Sequence, residues 1–186
     1  MEGFRSVRAT HYNRGAMNRA TPGFVALSLV CGLAAGAPGR AAVAPVEPTS
    51  IALSAGIFDT AGDEAAEAGL ELRWANRLPW GLGVILGVSG NEDEAVWGHL
   101  GLRLPFALGA TRWRLQPSFA VVAYDKGESK ELGQTLEFRS ALELHYAFAN
   151  HQSLGLLFYH LSNASLSDVN PGSNSLVLVW AVPIGR

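Results

Sequence analysis

His160 and Ser162 stand two residues apart at the end of an apolar run, in "FYHLSNASLSDVNPGSNSL" (158–176). An imidazole, a hydroxyl and a polar group that orients the imidazole form the usual arrangement for activating a serine nucleophile. Asn174, twelve residues beyond the serine, opens the next apolar run and is a candidate for that third role. On a strand, residues two apart lie ~6.5–7 Å apart on one side, so a histidine reaches a serine hydroxyl with modest bending. Antiparallel pairing of the two runs would bring Asn174 alongside. The plainer reading is an interfacial histidine followed by a serine that begins a turn. The choice depends on which way the strand faces.

The elements that must position these residues are strands. In "TLEFRSALELHY" (135–146), Leu136, Phe138, Ser140, Leu142, Leu144 and Tyr146 alternate with Thr135, Glu137, Arg139, Ala141, Glu143 and His145. One parity is apolar and the other carries charge, the period of a strand rather than a helix. The pattern recurs in "LELRW" (70–74) and "HLGLRLPF" (99–106), and predicts eight strands: 51–58, 66–75, 81–90, 95–104, 112–123, 134–147, 152–162 and 174–183. Most have the ~9–11 residues that a tilted strand needs to cross a bilayer. The connections are expected to alternate, with 75–80, 105–110 and 147–152 short and 59–67, 91–94, 125–133 and 163–173 polar and often acidic.

A soluble barrel turns its apolar face inward; a membrane barrel turns it to lipid and keeps charge inside. Strand length, the alternating connections and aromatics near strand ends (Trp80, Phe106, Tyr124, Phe148, Tyr159) favour an eight-stranded antiparallel transmembrane β-barrel. Glu71, Arg73, Arg103, Arg114, Glu137, Arg139 and Glu143 then form a candidate interior network. His160, Ser162 and Asn174 share the apolar, lipid-facing parity. Polar side chains on such a wall are costly, and function is the better default there.

An export signal supports the same reading. "GFVALSLVCGLAAGA" (23–37) is an apolar core with Arg14 and Arg19 upstream and small residues downstream. Residues 1–44 are expected to be a signal peptide, with Met17 a possible true start, and 45–186 the barrel domain. Cys31 lies in the signal, so no disulfide framework is expected. The 186 residues carry a formal net charge of -2 and scattered Lys and Arg, no footprint for nucleic acid. His99, His145, His151 and His160 are dispersed, so neither a metal nor another cofactor is expected.

"FYHLSNASL…NPGSNSL…VPI" resembles the lipid A 3-O-deacylases (PagL-like), eight-stranded outer-membrane barrels that hydrolyse the ester at the 3 position of lipid A. The close resemblance covers roughly 158–184. It implies Ser162 as nucleophile, His160 as general base and then acid, and Asn163 as a contributor to the oxyanion pocket with backbone N–H groups of the next turn. It also implies lipid A or lipopolysaccharide in a Gram-negative outer membrane as the partner. The family places a glutamate twelve residues after the serine, where this chain has Asn174. An asparagine fixes an imidazole without neutralising its charge. Asp168, the one carboxylate after Glu143, is an alternative acid if its loop folds back. Two other readings stand beside the esterase: a weak or inactive barrel of the same lineage with a structural or binding role, and a soluble exported lipid-binding barrel.

Overall fold

A computed structural model describes residues 42–184. The expected signal core and its flanking residues up to 41 lie outside the described residues. The chain forms ten strands: β1 (Ala42–Val43), β2 (Ser50–Phe58), β3 (Ala65–Arg73), β4 (Gly83–Asn91), β5 (Val96–Arg103), β6 (Phe106–Ala107), β7 (Trp113–Asp125), β8 (Leu136–Ala147), β9 (Ser153–Ser162) and β10 (Ser173–Pro183). The eight long strands are those the alternation predicts, with no end displaced by more than two residues.

Each long strand pairs antiparallel with its neighbours in sequence, β10 pairs with β2, and β7 pairs with β8, so the sheet closes into an eight-stranded barrel. Closure removes the unpaired edges that an open sheet would expose. Pro117, which cannot donate to a ladder, falls between the end of the β5–β7 pairing at Arg103↔Ser118 and the β6–β7 pairing at Phe106↔Leu115. There its carbonyl still accepts from Leu104 N–H.

The apolar parity faces outward. Leu53, Leu70, Leu86, Leu100, Val121, Leu142, Leu156 and Leu178 are all exposed on the outer wall. Such a continuous apolar exterior suits lipid and not water. A soluble lipid carrier would need the opposite assignment of faces.

The interior has two zones. At the end holding residues 44–49, Glu71 binds Arg73 (2.8 Å), His99 (2.8 Å) and Arg139 (2.7 Å), and Glu143 takes a two-pronged contact from Arg73. Arg103 pairs with Glu47 and Gln116. Buried charge is tolerated when every ion has partners at hydrogen-bond distance. At the opposite end Phe58, Trp97, Val122, Tyr124, Leu132 and Leu161 pack as an apolar core.

Four expectations need correction. Arg114 lies outside the network: it sits at the mouth, where its guanidinium donates to the carbonyls of Thr111 and Trp113. Glu137 is fully buried but its carboxylate has no hydrogen-bond partner among the described residues, because its inward position falls in the apolar zone. Tyr124 and Tyr159 do not belong to an outer aromatic belt; both are buried, and Tyr159 Oη donates to Glu67 (2.7 and 2.8 Å). Tyr159 has the parity of Leu157 and Leu161, and that overrides its place near a strand end. The connections do not alternate in length either. Those at one end run 74–82, 104–112 and 148–152, and those at the other 59–64, 92–95, 126–135 and 163–172. Charge separates the ends instead: every carboxylate in these connections lies in the second set.

Candidate active site on the outer barrel wall

β9 and β10 run antiparallel with Asn174 directly opposite His160, and Ser140 of β8 flanks His160 on the other side. Period-two alternation puts all three side chains on the outer wall with Ser162, where Leu156, Phe158 and Leu176 are exposed. His160, Ser162 and Asn174 are half-buried. The structure thus places His160, Ser162 and Asn174 on one face, at the end of β9 and the start of β10. The turn alternative for Ser162 fails locally, because Ser162 is the last residue of β9 and still pairs with Phe138.

Asn174 Oδ1 lies 2.9 Å from His160 Nδ1. An amide oxygen only accepts, so His160 donates from Nδ1, and in the neutral ring the lone pair is then on Nε2. That tautomer is the one a general base needs. No hydrogen bond joins Ser162 Oγ to His160 among the described residues. A strand spacing of ~6.5–7 Å accounts for the gap, and hydrogen bonds between such groups are often long in unliganded structures.

The backbone around the site is specialised. Gly172 has φ +63°, and a side chain there would come 2.7 Å from His160 Cε1 and 3.1 Å from Nε2. Glycine is required both for the left-handed turn and to let the loop lie against the imidazole. Ala164 and Ser165 also adopt positive φ (54° and 65°). Two consecutive non-glycine residues in that region are costly, and such strain gathers at functional turns.

Asn163 does not face the wall. It is fully buried, and its Nδ2 donates to Leu132 O (2.9 Å) and Val169 O (2.8 Å), tying loop 126–135 to loop 163–172. Its amide N–H groups are spent on those carbonyls and not directed at Ser162. Asp168 is exposed and makes no hydrogen bond or ion pair to His160 among the described residues. The Nδ1 position it would need is held by Asn174.

Two further contacts, which residue spacing could not reveal, brace the site. Thr60 N–H donates to Asn174 O (2.8 Å), fixing the start of β10 to loop 59–64. Lys130 Nζ reaches both oxygens of the buried Asp59 (2.8 Å each). The loops before β3, β8 and β10 thus form one connected cap over the strand ends that carry His160, Ser162 and Asn174. Asp59, Lys130 and Asn163 lie far apart in the chain, and only barrel closure makes them neighbours.

A closed eight-stranded antiparallel barrel with an apolar exterior and a polar pair on its outer wall defines the class: a barrel of the outer-membrane type. The model of the family "Lipid A 3-O-deacylase (PagL)" matches residues 65–183, and the chain belongs to that family. Among solved structures, the outer membrane enzyme PagL is similar at 22% identity and a TM-score of 0.64, over 73% of this chain and 99% of that one. Neisserial surface protein A is similar at 13% identity and a TM-score of 0.51, over 76% of this chain and all of that one. At these identities the structural likeness speaks for the fold alone. No curated protein matches the chain.

Proposed function

We propose that this protein is a serine esterase of the Gram-negative outer membrane that hydrolyses the 3-O-linked acyl ester of lipid A and releases a 3-hydroxy fatty acid. The observation that carries the reading is the His160–Asn174 hydrogen bond of 2.9 Å on a wall that faces lipid, beside Ser162. Family membership supplies the reaction class.

Ser162 Oγ attacks the ester carbonyl while its proton passes to His160 Nε2. Backbone N–H groups of the Ala164–Ser165 turn stabilise the oxyanion; the buried Asn163 serves that pocket by holding the turn and not by donating its amide. Collapse breaks the bond to the sugar oxygen, which takes the proton from Nε2. Water, activated by the same imidazole, then cleaves the acyl-serine. Asn174 holds the tautomer throughout. The substrate's acyl chains stay in the bilayer, so an outer-wall site meets the ester without extracting the lipid. Asp59, Asp63, Glu64, Glu92, Asp93 and Glu94 then lie at the outer surface and residues 44–49 at the periplasmic end, after removal of an export signal within 1–44.

The test is the rate of lipid A deacylation by refolded protein. Because nucleophile and base act as a unit, Ser162→Ala, His160→Ala and the double variant should each lose roughly 10³-fold or more, by similar factors. Full activity of folded Ser162→Ala would remove the serine mechanism. Asn174 also favours a second reading, a barrel of the same lineage with weak or no turnover and a binding role. Wild-type protein that binds lipid A but leaves it intact would select it.

A further inference from the structure

The end of the barrel opposite the candidate active site holds a cavity that the esterase reading does not use. Residues 45–48 cross the mouth and, with the 147–153 turn, frame a half-open volume of about 290 Å³ lined by Arg73, Arg112, Arg114, His151, Ser50 and Glu47, among others, with Arg112 and His151 exposed at its rim. The single carboxylate on this lining among the described residues, Glu47, is already engaged by Arg103 (2.5 Å) and by His145 (3.4 Å). Arg73 is likewise neutralised by Glu71 and Glu143.

Arg112 and Arg114 differ from these. Neither takes part in an ion pair among the described residues. Arg114 spends one nitrogen, Nη1, on the carbonyls of Thr111 and Trp113, which orients the guanidinium and leaves its other donors available. Two guanidinium groups, an imidazole and the Ser50 hydroxyl therefore line one cavity in which no described carboxylate is left to balance the charge.

We propose that this mouth is a binding site for a phosphate group. Guanidinium forks match the oxygens of a phosphate in paired hydrogen bonds, and are stronger there than to neutral acceptors. The cavity is at the small end of the range for ligand pockets. Its volume of about 290 Å³ accommodates a phosphate with a short substituent. The group is either the headgroup of an anionic phospholipid in the adjoining leaflet, its chains remaining in the bilayer, or a free periplasmic phosphate compound. The site is independent of the deacylase chemistry, because it lies at the other end of the barrel from Ser162.

Full-length refolded barrel in uncharged detergent tests this in two arms. The first titrates inorganic phosphate, at constant ionic strength set with chloride, by isothermal calorimetry. The second counts phosphatidylglycerol and phosphatidylcholine molecules retained in native mass spectrometry. Saturable phosphate binding, weakened about tenfold or more in Arg112→Gln and in Arg112→Gln/Arg114→Gln, supports the site and a soluble ligand. Selective retention of one phosphatidylglycerol, lost in the same variants, supports it and identifies a headgroup. Arg112→Gln alone guards against misfolding, since the Arg112 side chain makes no hydrogen bond among the described residues. Wild-type protein that binds in neither arm overturns the proposal, as does binding that is equal in wild type and folded Arg112→Gln.

Discussion

At the residue scale, the departure at position 174 has a measurable consequence. A carboxylate beside His160 Nδ1 would hold the tautomer and stabilise the imidazolium formed as Ser162 loses its proton; an amide does only the first. Hydrogen bonds to charged groups are worth ~1.5–3 kcal/mol against ~1 for neutral ones, and ~1.4 kcal/mol is tenfold in rate. Asn174→Glu should therefore raise the deacylation rate by on the order of tenfold, while Asn174→Ala, which frees the imidazole to rotate, should lower it. Asp168→Asn should change little, because the exposed Asp168 makes no contact with His160. A large loss in Asp168→Asn, with no response at Asn174, would transfer the orienting role to the loop. Gly172→Ala should lower both activity and stability, since the added methyl group meets His160 and the positive φ strains any side chain there. Kinetics and thermal midpoints on these variants give each answer. The residues of this site were legible in the sequence because His160, Ser162 and Asn174 follow from parity and a short spacing. The inward turn of Asn163 was not, since its partners Leu132 and Val169 become neighbours only in the folded loops.

At the element scale, the direction each strand faces can be tested by charge. Leu142 is exposed on the outer wall, and arginine at a lipid-facing midplane position costs ~2–4 kcal/mol. Leu142→Arg should reduce the assembled fraction, scored by heat-dependent gel mobility, whereas Ala141→Ser on the neighbouring inward position should assemble normally. The reverse result would exchange the two faces. The loop cap makes a second prediction. Asp59 is buried and Lys130 partly exposed, so breaking their pair should cost ~1–3 kcal/mol, below the ~3–5 of a fully buried pair. Lys130→Met, which strands a buried carboxylate, should lower the denaturation midpoint more than Asp59→Asn, which removes the charge itself. Equal midpoints for wild type and Lys130→Met would show that the cap does not rest on this contact. Alternation was enough to find every long strand, because one face of each is apolar over most of its length. It said less about the lumen: inward positions carry charge at one end and Phe58, Trp97 and Leu161 at the other, and parity assigns a side without assigning a height.

At the scale of the whole molecule, closure of β7 on β8 and of β2 on β10 gives a rigid tube whose two ends differ. One end carries the acidic loops and the His160–Asn174 pair on its outer wall; the other is crossed by residues 45–48 and lined by arginine. The barrel class was readable from strand number and period. The short pairing of β1 with β6 and the crossing of the mouth were not, since two-residue strands leave no periodic signal. Taken together, an apolar exterior and a half-buried His160–Asn174 pair on it are what the proposed esterase would need to work on an amphiphile still embedded in its membrane. The central claim is tested most directly by mass spectrometry of lipid A from a deacylase-deficient Gram-negative host producing either this protein or its Ser162→Ala variant, with assembly of both checked in outer-membrane fractions. Lipid A lighter by one 3-hydroxyacyl chain with the wild type, and unmodified with Ser162→Ala, is the result predicted. Unmodified lipid A with assembled wild type, or equal loss of the chain with both proteins, would contradict it.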